Sequence, residues 1–231
     1  MVSTLASLAA EKAAEVAKIN SMKKGKTQEQ KRVIDFFYTL DEGGCLKKSS
    51  STYTMEEYQK LVIDKCRALN IKEKAMNKIG LDVSQIQEIP PVFLSAYRFD
   101  DDCAVKIEDS QAVSSQYSVA LIFFSATQIY TYQYIFDMMS DNTWEFTKDF
   151  FYSDVTCFST SKLVKEKIDI SFSKGCLKKG TENITKNNYV VDTLEIIVPG
   201  ASYSFSKRDS ATVEQSIQAA KAMIREKKHS L

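Results

Sequence analysis

A single histidine, His229 near the end of the chain, limits the chemistry this sequence can perform. Serine and cysteine triads need an imidazole to take the nucleophile's proton, and most zinc centres need several imidazole or thiolate ligands. One imidazole in a terminal tail serves neither. The five cysteines (Cys45, Cys66, Cys103, Cys157 and Cys176) are odd in number, widely spread and without a Cys-x-x-Cys pair. They predict neither a disulfide framework nor a structural zinc site, and they fit a reducing cytoplasm. Seven glycines occur, none in the Gly-x-x-x-x-Gly-Lys or Gly-x-Gly-x-x-Gly spacing that cradles phosphate. The expectation is a protein that is not an enzyme, with no catalytic residue, metal ligand or cofactor.

Other residue groups suit recognition better than catalysis. Asp100, Asp101 and Asp102 are consecutive, so in extended chain they alternate sides and lack the spacing of a calcium loop; a solvated acidic loop is the simpler reading. Tyr130, Tyr132 and Tyr134 recur at period two and share one face of a strand. With Trp144 they form a candidate interaction surface, because such residues are enriched at interface anchors, although core packing explains them as well. Lys174, Lys178 and Lys179 add a basic patch. No aromatic interleaving accompanies these lysines, so nucleic acid is not an expected partner. The formal charge of +1 draws the chain globally to neither nucleic acid nor an anionic membrane.

The elements that position these groups divide at the paired prolines. Before them, residues 3 to 20 carry Leu5, Leu8, Val16 and Ile19 near helical spacing. Thr27 with Gln30, and Thr54 with Glu57, have the spacing of capping boxes that open two further helices. Gly43-Gly44 is a stop for the first of these, and Gly80 ends a fourth helix over residues 72 to 79. Pro90-Pro91 predicts a boundary, giving a helical region at 1–88 and a β domain at 89–231. Beyond it, Val119 to Phe124 is an unbroken apolar run of the length and type of a buried strand. Gln128 to Phe136 returns it as a hairpin. Strands are also predicted at 91–99, within 144–158, and at 163–172, 189–198 and 202–206, with Lys174 to Asn188 as a polar turn. Pro199-Gly200 fits the centre of a type II turn, and Ser210 or Thr212 caps a last helix bearing Val213, Ile217, Ala220 and Ile224. No apolar run reaches the roughly 18 residues of a membrane span.

About seven hairpin-connected strands closed by one helix is the order of a pleckstrin-homology-like barrel, so the expected class is α+β: a helical region, then that barrel. Several segments carry a further likeness: Asn77-Lys78-Ile79-Gly80-Leu81, Glu88-Ile89-Pro90-Pro91, Phe123-Phe124-Ser125, Phe151-Tyr152-Ser153-Asp154-Val155-Thr156, Ile197-Val198-Pro199-Gly200 and Ser216-Ile217-Gln218 through Lys227-Lys228. In these the chain resembles an uncharacterised family of cytosolic proteins from anaerobic Gram-positive bacteria. The resemblance implies the barrel and a cytoplasmic location, and assigns no activity.

The function expected is therefore a binding or scaffolding module for a protein or peptide, engaged through the barrel's open edge or beside its last helix. Peripheral membrane association through the N-terminal amphipathic helix or the basic patches is the alternative. An unrecognised hydrolase working with carboxylates alone is a third reading, with no acid pair marked out. Inositol-lipid binding is disfavoured, since Arg98 and Lys106 are the only cations between Pro91 and Gln116.

Overall fold

Reciprocal side-chain bonds fix the helix starts. The computed structural model describes residues 2–38, 52–80, 82, 84, 86, 89–108, 111–173 and 181–229. Helix α1 spans Val2–Lys23 and α2 spans Gln28–Tyr38. At the start of α2 the Gln30 amide donates to Thr27 Oγ1 at 3.1 Å, and the Thr27 amide donates to Gln30 Oε1 at 3.0 Å. Helix α3, Met55–Ala68, opens with the same exchange between Thr54 and Glu57. Each exchange satisfies two amides that the helix itself leaves unpaired. Helix α4, Ile71–Ile79, ends on Gly80 at φ +73°, the left-handed conformation in which glycine carries no Cβ penalty. The expected Gly43-Gly44 stop lies outside the described residues.

Among the described residues nine strands follow the prolines: β1 Val92–Tyr97, β2 Val105–Glu108, β3 Gln111–Ser114, β4 Gln116–Phe124, β5 Gln128–Asp137, β6 Thr143–Phe151, β7 Cys157–Ser173, β8 Thr181–Val198 and β9 Ala201–Lys207. Helix α5, Ala211–His229, closes the chain; Ser210 Oγ accepts from the Val213 amide at 3.2 Å and so caps it. The strands pair antiparallel in three sheets, ordered β1-β4-β5-β6, β2-β3 and β7-β8-β9.

Side-chain alternation along β4 sets the layers, because successive residues point to opposite faces. Ala120, Ile122 and Phe124 join Val92, Leu94, Ile129 and Phe150 on one face. There they meet Leu194, Ile196 and Phe205 of the β7-β8-β9 sheet and Ile217, Ala220, Met223 and Ile224 of α5. On the other face Val119, Leu121, Phe123, Tyr132 and Phe136 meet Val33 and Phe36 of α2, Tyr58 and Val62 of α3 and Ala75 of α4. The four-stranded sheet is thus the middle of three layers, and every residue of β4 is buried. Helix α4 ends at Ile79 and β1 begins at Val92, and the helices and the four-stranded sheet on either side share a core.

Three features differ from the sequence expectation. The chain between the strand predicted at 91–99 and the apolar run at 119–124, where no strand is predicted, contains the β2-β3 hairpin, whose short half-exposed strands leave no clean apolar alternation to detect. No closed barrel forms among the described strands: the four-stranded and three-stranded sheets pack on one another without a hydrogen-bonded ladder between them. Strand count and order can be read from patterning, whereas closure depends on how two edges approach. The polar turn predicted over 174–188 is also shorter on its C-terminal side, since β8 begins at Thr181.

Replacing Phe123, fully buried between sheet and helices, with Ala should cost about 3–5 kcal/mol of unfolding free energy in urea titration, from lost transfer energy plus the cavity left behind. Phe93→Ala, at a site 47% exposed on neighbouring β1, should cost less than half of that.

Candidate functional site

An opening lies where the two packed sheets separate. It is a cleft of about 610 Å³, floored by Thr131, Gln133 and Ile135 of β5 and by Trp144, Phe146 and Lys148 of β6. These positions alternate, as residues on one face of a sheet must, and the register pairs Ile135 with Trp144, Gln133 with Phe146 and Thr131 with Lys148. The opposite wall is different. It is made by Ser202, Tyr203, Ser204, Phe205 and Ser206, five consecutive residues of β9, with Val191 and Thr193 of β8 beside them. Consecutive residues of β9 bring its edge to the opening, while the alternate β8 residues Val191 and Thr193 bring one face of the same sheet to it.

The turn before β9 determines what that edge carries. Pro199 and Gly200 connect β8 to β9, with Gly200 at φ +83°, as a type II turn requires. Val198 and Ala201 flank the turn as partners, which makes them a hydrogen-bonded pair. The alternation that follows sends the amides of Tyr203, Phe205 and Lys207 to β8 and those of Ser202, Ser204 and Ser206 outward. Among the described strands, none pairs with this outer edge.

The two ends of the cleft carry different polar groups. At one end the Phe150 ring lies 5.1 Å from that of Tyr203, and Lys148 Nζ stands 5.7 Å from the Tyr203 ring centre. At the other, Arg98 forms an ion pair with Asp100 and donates to Gln116 Oε1 at 3.1 Å. Gln116 Nε2 in turn donates to Asp102 Oδ2 at 3.0 Å. Asp100, Asp102 and Arg98 thus meet at this end, with Lys207 and Arg208 close by beside Phe99, and the exposed Lys148 stands at the other. Among the described residues no group of three or more histidines, cysteines or acids is placed to hold a metal ion, and no helix is long and apolar enough to cross a membrane.

The residues singled out from sequence are not brought together. Trp144 lies in the cleft, but Tyr130, Tyr132 and Tyr134 occupy the other face of β5, toward the helices. Tyr132 is fully buried there and contributes no surface. Its hydroxyl donates to Glu145 Oε1 at 2.7 Å, and Lys78 of α4 bridges to the same carboxylate at 3.2 Å. Tyr130 donates to Gln128 Oε1 at 2.6 Å, and Lys74 lies 4.9 Å from the Tyr134 ring centre. The row thus joins the strands to α4. Lys174, Lys178 and Lys179 lie outside the described residues. Sequence reasoning did not single out Arg98 for this cleft, nor Phe146, Lys148 and the β9 serines. A signal for the serines was nevertheless present, because Pro199-Gly200 fixes which residues of β9 face outward.

Comparison with protein-family models, curated proteins and solved structures finds no match. The site is read from its own geometry.

The Tyr132 hydrogen bond, followed by Lys78, holds the Glu145 carboxyl below the usual carboxylate range. A depressed folded-state value means that the stabilisation is complete above the unfolded value, about 4.3, and is lost as pH falls through the folded one. Glu145→Gln should therefore lose stability at pH 7 and little at pH 2.5, the gap between variant and parent narrowing across the acid range in urea titrations.

Proposed function

We propose that this chain is a non-enzymatic module that binds an extended peptide by adding it as a strand to the outer edge of β9. The observation that carries this reading is the unpaired backbone edge of Ser202 to Ser206 opening onto a cleft with aromatic side chains opposite. Main-chain hydrogen bonds to such an edge give affinity, and pockets for alternate side chains give specificity. Trp144 and Phe146 are the apolar anchors, with Phe146 47% exposed although it faces a wall of the cleft. Unpaired edges are ordinarily blunted by charge or proline; the serines here leave backbone groups approachable. The cytoplasmic location expected from the thiols belongs to the same proposal.

The order of a four-stranded meander, a three-stranded sheet and a final helix supports comparison with a pleckstrin-homology-like barrel, with β2-β3 as an insertion after its first strand. Kinship with the bacterial family that the sequence resembles is part of the proposal on the same footing.

Ser204→Pro separates binding from folding. Proline removes an amide that β8 does not use, so the fold should persist with a small loss of stability, whereas the added strand loses a donor and meets the ring. Peptides selected on the parent chain should bind this variant at least about tenfold more weakly in fluorescence titrations, a loss of about 1.4 kcal/mol. Unchanged affinity in a folded Ser204→Pro protein would exclude strand addition at β9.

A further inference from the structure

A second opening, of about 300 Å³, lies at the end of β9 and shares Phe99 and Val191 with the cleft. We infer that it binds a small organic acid, with a carboxylate held by Lys207 and an apolar body against Phe99 and Val190.

Strand β9 stops at Lys207, opposite Asp192 of β8. The preceding residues of β8 have no β9 partner, and Asn188 to Asp192 line the opening in consecutive positions. Alternation puts Lys207 on the same face as Phe205, which is turned to the core. Strand β1 comes close to β9 here, and its Ala96 and Tyr97 complete the wall. The lysine is therefore only 9% exposed.

Such burial is costly for an ammonium without acceptors around it. Among the described residues none is in bonding range of Lys207 Nζ: Asp209 is ion-paired with Lys162 at 3.3 Å, and Asp192, opposite in the ladder, forms no ion pair with it. A second polar group shares this condition. The Tyr97 hydroxyl is buried without a hydrogen-bond partner, although such groups are nearly always paired. Two donors that the protein leaves unused thus line one opening. Because an ammonium can only donate, the group that completes the site is an acceptor.

The surrounding charges favour an anion. Arg208 also lines the opening, its guanidinium 5.6 Å from the Tyr117 ring centre. With Asp209 engaged by Lys162, Lys207 and Arg208 face one carboxylate, that of Asp192. Beyond Phe99 the acids Asp100, Asp101 and Asp102 are matched in number by Arg98, Lys165 and Lys167, and Glu166 is paired with Lys186 at 3.2 Å. One positive charge remains in excess, which suits a monocarboxylate better than a phosphate ester of nearly two charges. The rings of Phe99 and Tyr189, 4.9 Å apart, and Val190, 44% exposed, give an apolar wall against which an aromatic body packs.

Amide NMR spectra of the full chain, titrated with phenylacetate, phenylacetamide and phenyl phosphate, test this. Phenylacetate should bind with a Kd of about 1 mM, as befits so small a ligand, and shift the amides of Asn188 to Asp192 and Lys207 to Asp209. The neutral amide should bind at least about tenfold more weakly, and the phosphate more weakly than the carboxylate. Lys207→Met keeps the stem and removes the ammonium. It should weaken phenylacetate at least about tenfold while its stability in urea equals or exceeds that of the parent, because a buried charge without a partner burdens the free protein. Preference for the amide or the phosphate, binding intact in a folded Lys207→Met protein, or no shift at these amides overturns the inference. So does a clear loss of stability in Lys207→Met, which would mean that the ammonium is already bonded within the protein. Strand addition at the outer edge of β9 stands or falls separately.

Discussion

Burial of one strand on both faces is the constraint on which this structure depends. A strand with a single apolar face can rest on one layer; β4 has two, and each must be covered. Val119, Leu121 and Phe123 need the helices, while Ala120, Ile122 and Phe124 need the second sheet and α5. Neither cover is optional, since a bare face of β4 would expose several large apolar side chains, each worth about 1.5–3 kcal/mol when buried. This makes the helical layer part of the β domain's core, although the chain between them carries the punctuation of a boundary.

Polar groups lock the layers in register. The Tyr58 hydroxyl of α3 donates to Ser114 O at 2.7 Å where β3 passes into β4, and Gln30 of α2 donates to Asp141 at 2.8 Å beyond β5. Lys106 of β2 reaches Phe36 O at 3.0 Å. Such bonds add little net free energy individually, but a buried donor left without its acceptor costs more than the bond contributes, so they reject alternative seatings of the helices. On the other side of the sheet the contacts are apolar near α5 and become hydroxyl- and charge-rich toward Arg98, and it is there that the sheets part. The cleft begins where apolar cover ends.

How much of this was legible in the sequence follows from the range of the forces involved. Thr27 with Gln30, Thr54 with Glu57, Gly80, Pro199-Gly200 and Ser210 all act within a few residues, and the structure has each where its spacing predicted. The unbroken apolar run of β4 announced burial on both faces without naming the covers. Period two placed Tyr130, Tyr132 and Tyr134 on one face of β5, but which layer that face meets is set by elements far along the chain. The cleft joins residues from Arg98 to Ser206, and only the phase of β9 was locally encoded. Barrel closure was misjudged for the same reason, as strand order does not specify whether two sheet edges come within bonding distance.

The most direct measurement is residue-resolved amide hydrogen exchange along β9 in the free protein. A ladder to β8 on one side and an open edge on the other predict alternation: Tyr203 and Phe205 protected, with Ser202, Ser204 and Ser206 exchanging much faster. Uniform protection across Ser202 to Ser206 would mean that the outer edge is already occupied, contradicting the open strand on which the proposed peptide recognition rests.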